Sequence, residues 1–168
     1  FYMLPRFNNL ILIIGIFALI DDMLGRKKSP FGIEWGQLSR GIGIILVMIV
    51  GLLEGLGISS IFIALMVQPL NISDMQPGST CIVTMIMSVL TIIVMLIIGS
   101  PAFEELPAAY TPLLIFVVCL AYSPLDFSGK IMLGEVGNHT LGVALGCAFY
   151  LIGGLWSVIL FGILTTAL

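Results

Sequence analysis

The sequence predicts an all-α fold, a polytopic membrane helix bundle of about six transmembrane helices that forms a single integral membrane domain over residues 1–168. Of its 168 residues, 60% are hydrophobic and only 9% are charged, whereas about a quarter of the residues in a soluble domain are charged. The apolar residues also fall in runs long enough to cross a bilayer. A water-soluble globule of this size could not bury so much apolar surface, so soluble classes of protein are excluded and no nucleic-acid partner is expected.

Six apolar runs are predicted to span the membrane, at residues 8–20, 37–55, 56–70, 80–99, 108–122 and 140–164. A helix needs about 20 residues to cross a hydrocarbon core of about 30 Å. A single helix over residues 41–70 would reach about 45 Å, which is too long. Because Gly51, Gly55 and Gly57 offer a place to turn, a tight hairpin is expected between the second and third spans.

The basic residues predict the orientation of these spans. With the hairpin, the segments 21–37, 71–79 and 123–139 share one side of the membrane. By the positive-inside rule that side is cytoplasmic, so we expect a multi-pass protein of the cell membrane. Five of the six basic residues lie on or near this side, namely Arg26, Lys27, Lys28, Arg40 and Lys130, while the other side holds Arg6, Glu54, Glu104 and Glu105.

Asp21 and Asp22 form the first of three polar segments, at the end of the first apolar run. Ionisable groups at membrane depth are functional candidates because they are costly to hold there. Adjacent side chains on a helix diverge by about 100°, so one carboxylate can bind a cation while the other accepts a proton or orients a nucleophile. Carboxylates beside water suit Mg²⁺. The alternative is a solvated helix end, balanced by the basic residues 26–28.

Asn71 and Asp74 form the second polar segment, between Pro69 and Pro77. They are three residues apart, and therefore share a face if the helix continues that far. The prolines indicate that a span ends here and that the chain turns. The alternative is capping, with Asp74 accepting the free backbone N–H groups at the start of the next helix.

Residues 134–138 form the third polar segment, directly before the last span. Gly134 and Gly137 allow a ligand to approach the backbone closely, and the positive end of the following helix favours a phosphate. Glu135 can reach a bound cation. The alternative is a glycine-rich turn with an exposed Glu. His139 is expected to be a cap or an interfacial residue rather than a catalytic base.

The remaining chemically active side chains carry less information. Cys81, Cys119 and Cys147 lie far apart in apolar stretches without CxxC spacing. We interpret them as small packing residues with no metal or disulfide role. Asp126 adds one more acid to the predicted cytoplasmic face.

The three polar segments, in this order and on one face, resemble the motifs of the polyprenyl-phosphate N-acetylhexosamine-1-phosphate transferases (glycosyltransferase family 4). That family includes the phospho-N-acetylmuramoyl-pentapeptide transferases of bacterial cell-wall synthesis. Residues 20–25, IDDMLG, look like its DDxxG block. Residues 71–78, NISDMQPG, look like its NxxDGxDG block, and residues 132–138, MLGEVGN, are similar to its MGDxGS block. The resemblance covers about residues 10–150 of the chain.

The resemblance implies a Mg²⁺-dependent enzyme that moves a sugar-1-phosphate from a UDP-sugar onto polyprenyl phosphate and releases UMP. Its implied partners are these two substrates and membrane lipid, and a homodimer is left open. Carried over residue by residue, it implies a catalytic set of Asp21, Asp22 and Asp74, a metal-binding set of Asp22, Asp74 and Glu135, and a substrate-binding set of Asn71, Gly137 and Asn138. Lys130 lies outside the three blocks and joins the substrate-binding set because its positive charge can attract the nucleotide.

Two positions depart from the pattern of the family. Pro77 stands where the second block has its second aspartate, and Glu135 stands where the third block has its aspartate. Family members also have about ten spans and a His-rich cytoplasmic loop, whereas this chain has one His. We therefore expect a divergent member, either a fragment of a longer protein or a reduced relative.

Two other functions remain open at this point. One is a catalytically degenerate membrane scaffold of the same family. The other is a small cation or proton transporter component that would use the same acids as its path. A transporter predicts acids spread through the depth of the bilayer. Because the acids here collect at one face, the transferase is the preferred hypothesis.

Overall fold

A computed structural model describes residues 5–25, 27–28, 32, 34–98 and 106–168. The described residues form helices and no β-strand, so the prediction of an all-α polytopic bundle is confirmed. Five of the helices are apolar and long enough to cross a membrane. The helices are α1 (Pro5–Leu24), α2 (Trp35–Leu53), α3 (Ser59–Leu65), α4 (Val67–Ser73), α5 (Ser79–Ile98), α6 (Leu106–Phe127), α7 (Gly134–Gly153) and α8 (Leu155–Ala167).

The outer surface of the bundle is apolar. Leu53, Ile97 and Trp156 are 82%, 79% and 77% exposed, and large aliphatic side chains on α1, α2, α5 and α6 are exposed as well. Soluble monomers rarely carry so much contiguous apolar surface. In lipid a helix satisfies its own backbone groups, so an apolar exterior on long helices is stable there. The protein is therefore embedded in a membrane.

Helix α7 lies at the centre of the bundle. It packs extensively against every other helix except α2. Its middle is almost completely buried and contains small residues. A Cβ atom on Gly142 would lie 2.7 Å from the backbone oxygen of Met66, and one on Gly146 would lie 3.0 Å from Cα of Ile63. Small residues let helices in membranes approach this closely. The close packing fixes α7 against α3 and α4.

The predicted hairpin between the second and third spans is confirmed, because α2 ends at Leu53 and α3 begins at Ser59. Gly55 and Gly57 have φ values of +82° and +58°, which L side chains rarely adopt. At the same end of the bundle Asn9 Nδ2 donates a 3.2 Å hydrogen bond to Glu54 Oε1. The start of α1 and the end of α2 are therefore neighbours, and the two helices are antiparallel.

Two of the predicted spans are divided in the structure. The third corresponds to α3 and α4, which meet at Met66 and together form an apolar element shorter than a full span. The prediction of one helix over residues 140–164 is wrong. Gly154, with φ +68° and ψ −140°, separates α7 from α8. Both sides of this break are apolar, so hydropathy did not reveal it.

Some residues that enter the orientation prediction lie outside the described part of the chain. These are Arg26, Glu104, Glu105 and the side chain of Arg6, together with Gly99 at the end of the fourth predicted span.

Candidate functional site

The three polar segments meet at one end of the bundle, around the start of α7. Asp22, at the end of α1, accepts a hydrogen bond from the backbone N–H of Val136, with 3.4 Å between N and Oδ2. Asp74, in the turn after α4, accepts a 2.8 Å hydrogen bond from Asn138 Nδ2 to its Oδ2. Residues that are far apart in the sequence therefore form one polar cluster.

The first turn of α7 has no side-chain cap of its own. A carboxylate from elsewhere supplies an acceptor instead, since the N–H of Val136 donates a hydrogen bond to Asp22. The positive end of the helix dipole favours anions at this position, whether carboxylate or phosphate. The expected alternative for Asp74 was a cap on the next helix, α5. Asp74 accepts a 3.4 Å hydrogen bond from the Thr80 hydroxyl of α5 and a shorter one, 2.8 Å, from the Asn138 side chain of α7.

Asp21 and Asp22 point to different neighbours, as the helical geometry predicted. Asp22 is exposed and faces α7. Asp21 is turned towards α2, where its Oδ2 lies 4.0 Å from Arg40 Nε. Gly36 of α2 packs directly against Asp21, because a Cβ atom there would collide with the Asp21 carboxylate. The two carboxylates therefore do not share one ligand position.

Arg40, which from the sequence indicated only the orientation of the spans, joins α2 to the start of α7. Its Nη1 lies 3.3 Å from Oε2 and 3.4 Å from Oε1 of Glu135. With Asp21 on its other side, the guanidinium lies between two carboxylates. One signal could have identified it, because Arg40 is the only charged residue within the apolar helix α2.

His139 is fully buried, whereas a cap or interfacial position was expected. Its Nε2 lies 3.4 Å from Glu135 Oε2 and 3.4 Å from Asn71 Nδ2. Its Nδ1 is buried without a hydrogen-bond partner among the described residues. Asn71 therefore reaches the polar cluster through His139. The spacing of Glu135 and His139, one helical turn apart, was the available signal.

Asp74 accepts hydrogen bonds from the side chains of Thr80 and Asn138. Burial raises the pKa of its carboxyl above the ordinary value of 3.8, and the nearby Asp126 carboxylate raises this pKa as well. Hydrogen bonds from Asn138, Thr80 and Gly134 lower the same pKa, but the net direction is upward. Asp126 is 1% exposed, and neither of its carboxylate oxygens has a hydrogen-bond partner among the described residues.

The other three residues of the predicted substrate-binding set lie in three different surroundings. Lys130 lies on the exposed turn between α6 and α7, and its ammonium group makes no ion pair with a described residue. Gly137 packs against the Leu133 side chain on the wall of a cavity of about 230 Å³ between α5, α6 and α7. Asn138 is buried and holds Asp74 in place. The three cysteines are buried, which fits their predicted packing role.

The predicted metal-binding set is only partly assembled. The part of the chain that the structure describes contains no group of three or more His, Cys, Asp or Glu side chains arranged to hold a metal ion. Asp22 and Glu135 nevertheless both border the start of α7, and Mg²⁺ usually takes only one or two carboxylates from a protein, with water and substrate phosphates completing its shell. The carboxylate oxygens of Asp22 and Glu135 are ligands of the type that Mg²⁺ prefers. In this structure the Glu135 carboxylate is paired with Arg40.

The chain matches no protein-family model, no curated protein and no solved structure.

Proposed function

We propose that this chain is a phosphoglycosyl transferase of cell-envelope glycan synthesis, which moves a sugar-1-phosphate from a UDP-sugar to polyprenyl phosphate at the cytoplasmic face of the cell membrane. The observation that carries this proposal is the meeting of Asp22 and Asp74, from two separate motifs, at the start of α7, within the third motif. A chance resemblance of three short motifs gives no reason for them to be in contact.

The position of the cluster suits a reaction between a soluble and a lipid substrate. It lies at one end of helices long enough to cross a membrane, where a nucleotide from water and the headgroup of a lipid can meet. A transporter would instead need acids along the depth of the spans. Among the described acids, only Glu54 lies at the opposite end, beside Asn9. This distribution favours the transferase over the transporter.

The cluster also contains the donors that phosphate groups need. The first turn of α7 presents backbone N–H groups at the positive end of a helix dipole. Arg40 offers a planar fork of N–H donors that matches phosphate oxygens. These donors are paired with carboxylates in the described structure. Phosphate oxygens of a substrate can take the place of those carboxylates.

In the proposed reaction a phosphate oxygen of the lipid attacks the phosphorus atom attached to the sugar. A new P–O bond forms there, the P–O bond to UMP breaks, and UMP leaves with the electron pair. Asp22 is the exposed carboxylate of the cluster, and it accepts a proton from the lipid phosphate or orients that phosphate for attack. Asp22 and Glu135 are the residues that would hold Mg²⁺, which supplies charge neutralisation to the diphosphate when bound.

The test is isotope exchange in detergent. Labelled UMP is incubated with candidate UDP-sugars, undecaprenyl phosphate, MgCl₂ and the purified protein. We expect label to enter the UDP-sugar only when Mg²⁺ and the lipid phosphate are present. Asp22→Asn should abolish the exchange. Glu54→Gln is the matched control, because it neutralises an acid at the other end of the bundle and should retain exchange. Exchange that is absent with every sugar, or equal in Asp22→Asn, contradicts the proposal.

A catalytically degenerate scaffold is the second candidate. It is favoured by Pro77, which cannot ligate a metal, and by the pairing of Glu135 with Arg40. Divalent cation binding separates the two candidates, because a degenerate scaffold would have no saturable site that depends on Glu135.

A further inference from the structure

We propose that Asp126 and the cavity between α5, α6 and α7 form a binding site for a small amphiphilic amine in its ammonium form, with the Asp126 carboxylate as the counter-ion of the amine. This site goes beyond the proposed function and does not depend on it. The cavity has a volume of about 230 Å³, and its wall consists mostly of apolar side chains together with the thiols of Cys81 and Cys119.

Asp126 is a buried acid without a polar partner. It is 1% exposed, and neither carboxylate oxygen has a hydrogen-bond partner among the described residues. No described basic residue forms an ion pair with it, and the Cys81 thiol nearby is only a weak donor. Burying a carboxylate without a partner is costly, and buried polar groups in native proteins generally have one. A positively charged hydrogen-bond donor beside Asp126 would remove this cost.

The face of α6 that borders the cavity also carries Asp126. Cys119 and Tyr122 of this helix line the cavity. Asp126 follows them after seven and four residues, which are the spacings that share one face of a helix. Cys119, Tyr122 and the Cys81 thiol of α5 are also within electrostatic reach of the Asp126 carboxylate. The carboxylate therefore lies beside the cavity.

The lining decides which kind of cation fits. A metal ion needs several ligating side chains, and the described residues contain no group of three or more His, Cys, Asp or Glu arranged to hold one. An alkyl ammonium ion brings its own apolar body, which the aliphatic part of the wall can bury. The Tyr122 ring adds an aromatic surface that attracts cations, and its hydroxyl is fixed by a 2.9 Å hydrogen bond to the backbone oxygen of Met132.

The size and the opening of the cavity limit the ligand further. If each non-hydrogen atom takes about the 30 Å³ of a water molecule, a ligand of roughly seven such atoms fits. The n-hexylammonium ion has this size, and its amine is protonated at neutral pH like that of lysine. Val118, on the wall, is 55% exposed at the lipid-facing surface of α6. We therefore expect the ligand to enter from the membrane.

The first experiment compares n-hexylammonium chloride with 1-hexanol, a neutral molecule of similar size, in detergent at neutral pH. A ligand that binds only the folded protein raises its thermal midpoint, so the midpoint as a function of concentration gives the affinity. We expect n-hexylammonium to bind about tenfold more tightly, because a hydrogen bond between charged partners is stronger than a neutral one. In Asp126→Asn, which removes the charge and nearly retains the shape, the two affinities should be equal. Glu54→Gln, at the opposite end of the bundle, should behave like the wild type.

The second experiment uses two adjacent valines of α6. Val118 lines the cavity, whereas Val117 is outside its lining and is exposed to a similar degree, 50% against 55%. Val118→Trp should fill the cavity and abolish the binding of n-hexylammonium, while Val117→Trp should retain it. Both variants keep Asp126, so they also cover the case in which Asp126→Asn does not fold.

Four results would overturn the proposal: no shift of the midpoint with n-hexylammonium, equal affinities of the two probes for the wild type, an n-hexylammonium affinity that Asp126→Asn leaves unchanged, or binding that survives Val118→Trp. The proposed function fails separately, because none of these measurements uses a UDP-sugar or a lipid phosphate. If sugar exchange is absent while the amine binds as expected, only the transferase is rejected. If exchange occurs while the amine does not bind, only the amine site is rejected.

Discussion

The backbone N–H of Val136 donates a hydrogen bond to Oδ2 of Asp22 over 3.4 Å, although 114 residues separate the two in the sequence. The bond ties the end of α1 to the start of α7. Asn138 and Asp74, 64 residues apart, make the matching tie between α7 and the turn after α4. Because both ties use a carboxylate, the acids of the cluster have a structural role as well as a proposed chemical one.

Substitution of Asp22 separates these two roles. Asp22→Asn keeps an oxygen that can accept the N–H of Val136, but it removes the negative charge. We expect the thermal midpoint in detergent to change little while the exchange rate falls by at least about 100-fold. Asp22→Ala should lower both. If Asp22→Asn retains exchange, Asp22 is a helix cap and its catalytic role is rejected.

The raised pKa of Asp74 predicts a pH-dependent stability. Because burial raises the pKa of this carboxyl in the folded protein, the neutral form is favoured there. The stabilisation is fully present below the ordinary pKa of 3.8 and is lost as the pH rises through the raised value. We therefore expect the difference in thermal midpoint, wild type minus Asp74→Asn, to decrease as the pH rises from 3.8 through the raised pKa of Asp74. The measurement is made with divalent cations chelated.

Asp126→Asn is the control for the cause of this shift. It removes a nearby carboxylate that contributes to the raised pKa of Asp74, so the fall in midpoint should become smaller. A midpoint difference that rises with pH would show that the hydrogen bonds to the Asp74 carboxylate outweigh its burial.

Two glycines of α2 test the packing of Asp21. A Cβ atom at Gly36 would collide with the Asp21 carboxylate and lie 2.9 Å from the backbone oxygen of Gly25, whereas one at Gly41 would meet nothing within 4 Å. We expect Gly36→Ala to lower the free energy of unfolding by about 1–3 kcal/mol and to reduce exchange. Gly41→Ala should stabilise the helix by about 0.5–1 kcal/mol and leave exchange intact. Equal effects of both substitutions would contradict the contact.

Lys130 tests whether an exposed charge outside the cluster assists the nucleotide. Lys130→Ala should raise the KM for the UDP-sugar and leave kcat and the thermal midpoint nearly unchanged, because a lysine acts on phosphate as a point charge. Lys28→Ala, also exposed, serves as the comparison. The KM increase should shrink at high salt, where exposed charges are screened. If the two variants have the same KM, Lys130 has no specific role.

Much of the fold could be predicted because runs of apolar residues show where the membrane helices lie. The apolar runs predicted the five long helices, and the glycines around Gly55 predicted the reversal between α2 and α3. The break at Gly154 was missed because glycine is common in membrane helices and only its φ and ψ angles distinguish a break from a packing position. The motifs pointed to Asp22, Asp74 and Glu135 but not to Arg40 or to the burial of His139.

By itself the sequence determined that this protein is a bundle of membrane-embedded helices with three polar segments between them. In lipid each segment must satisfy its own backbone groups, so helix formation is a local property that apolar length is sufficient to predict. Only the tertiary structure decided which side chains meet: Asp22 with Val136, Asp74 with Asn138, and Arg40 with Glu135. Those pairings depend on how each helix is rotated and packed against its neighbours, and side chains that are apolar nearly all round a helix carry little information about its rotation.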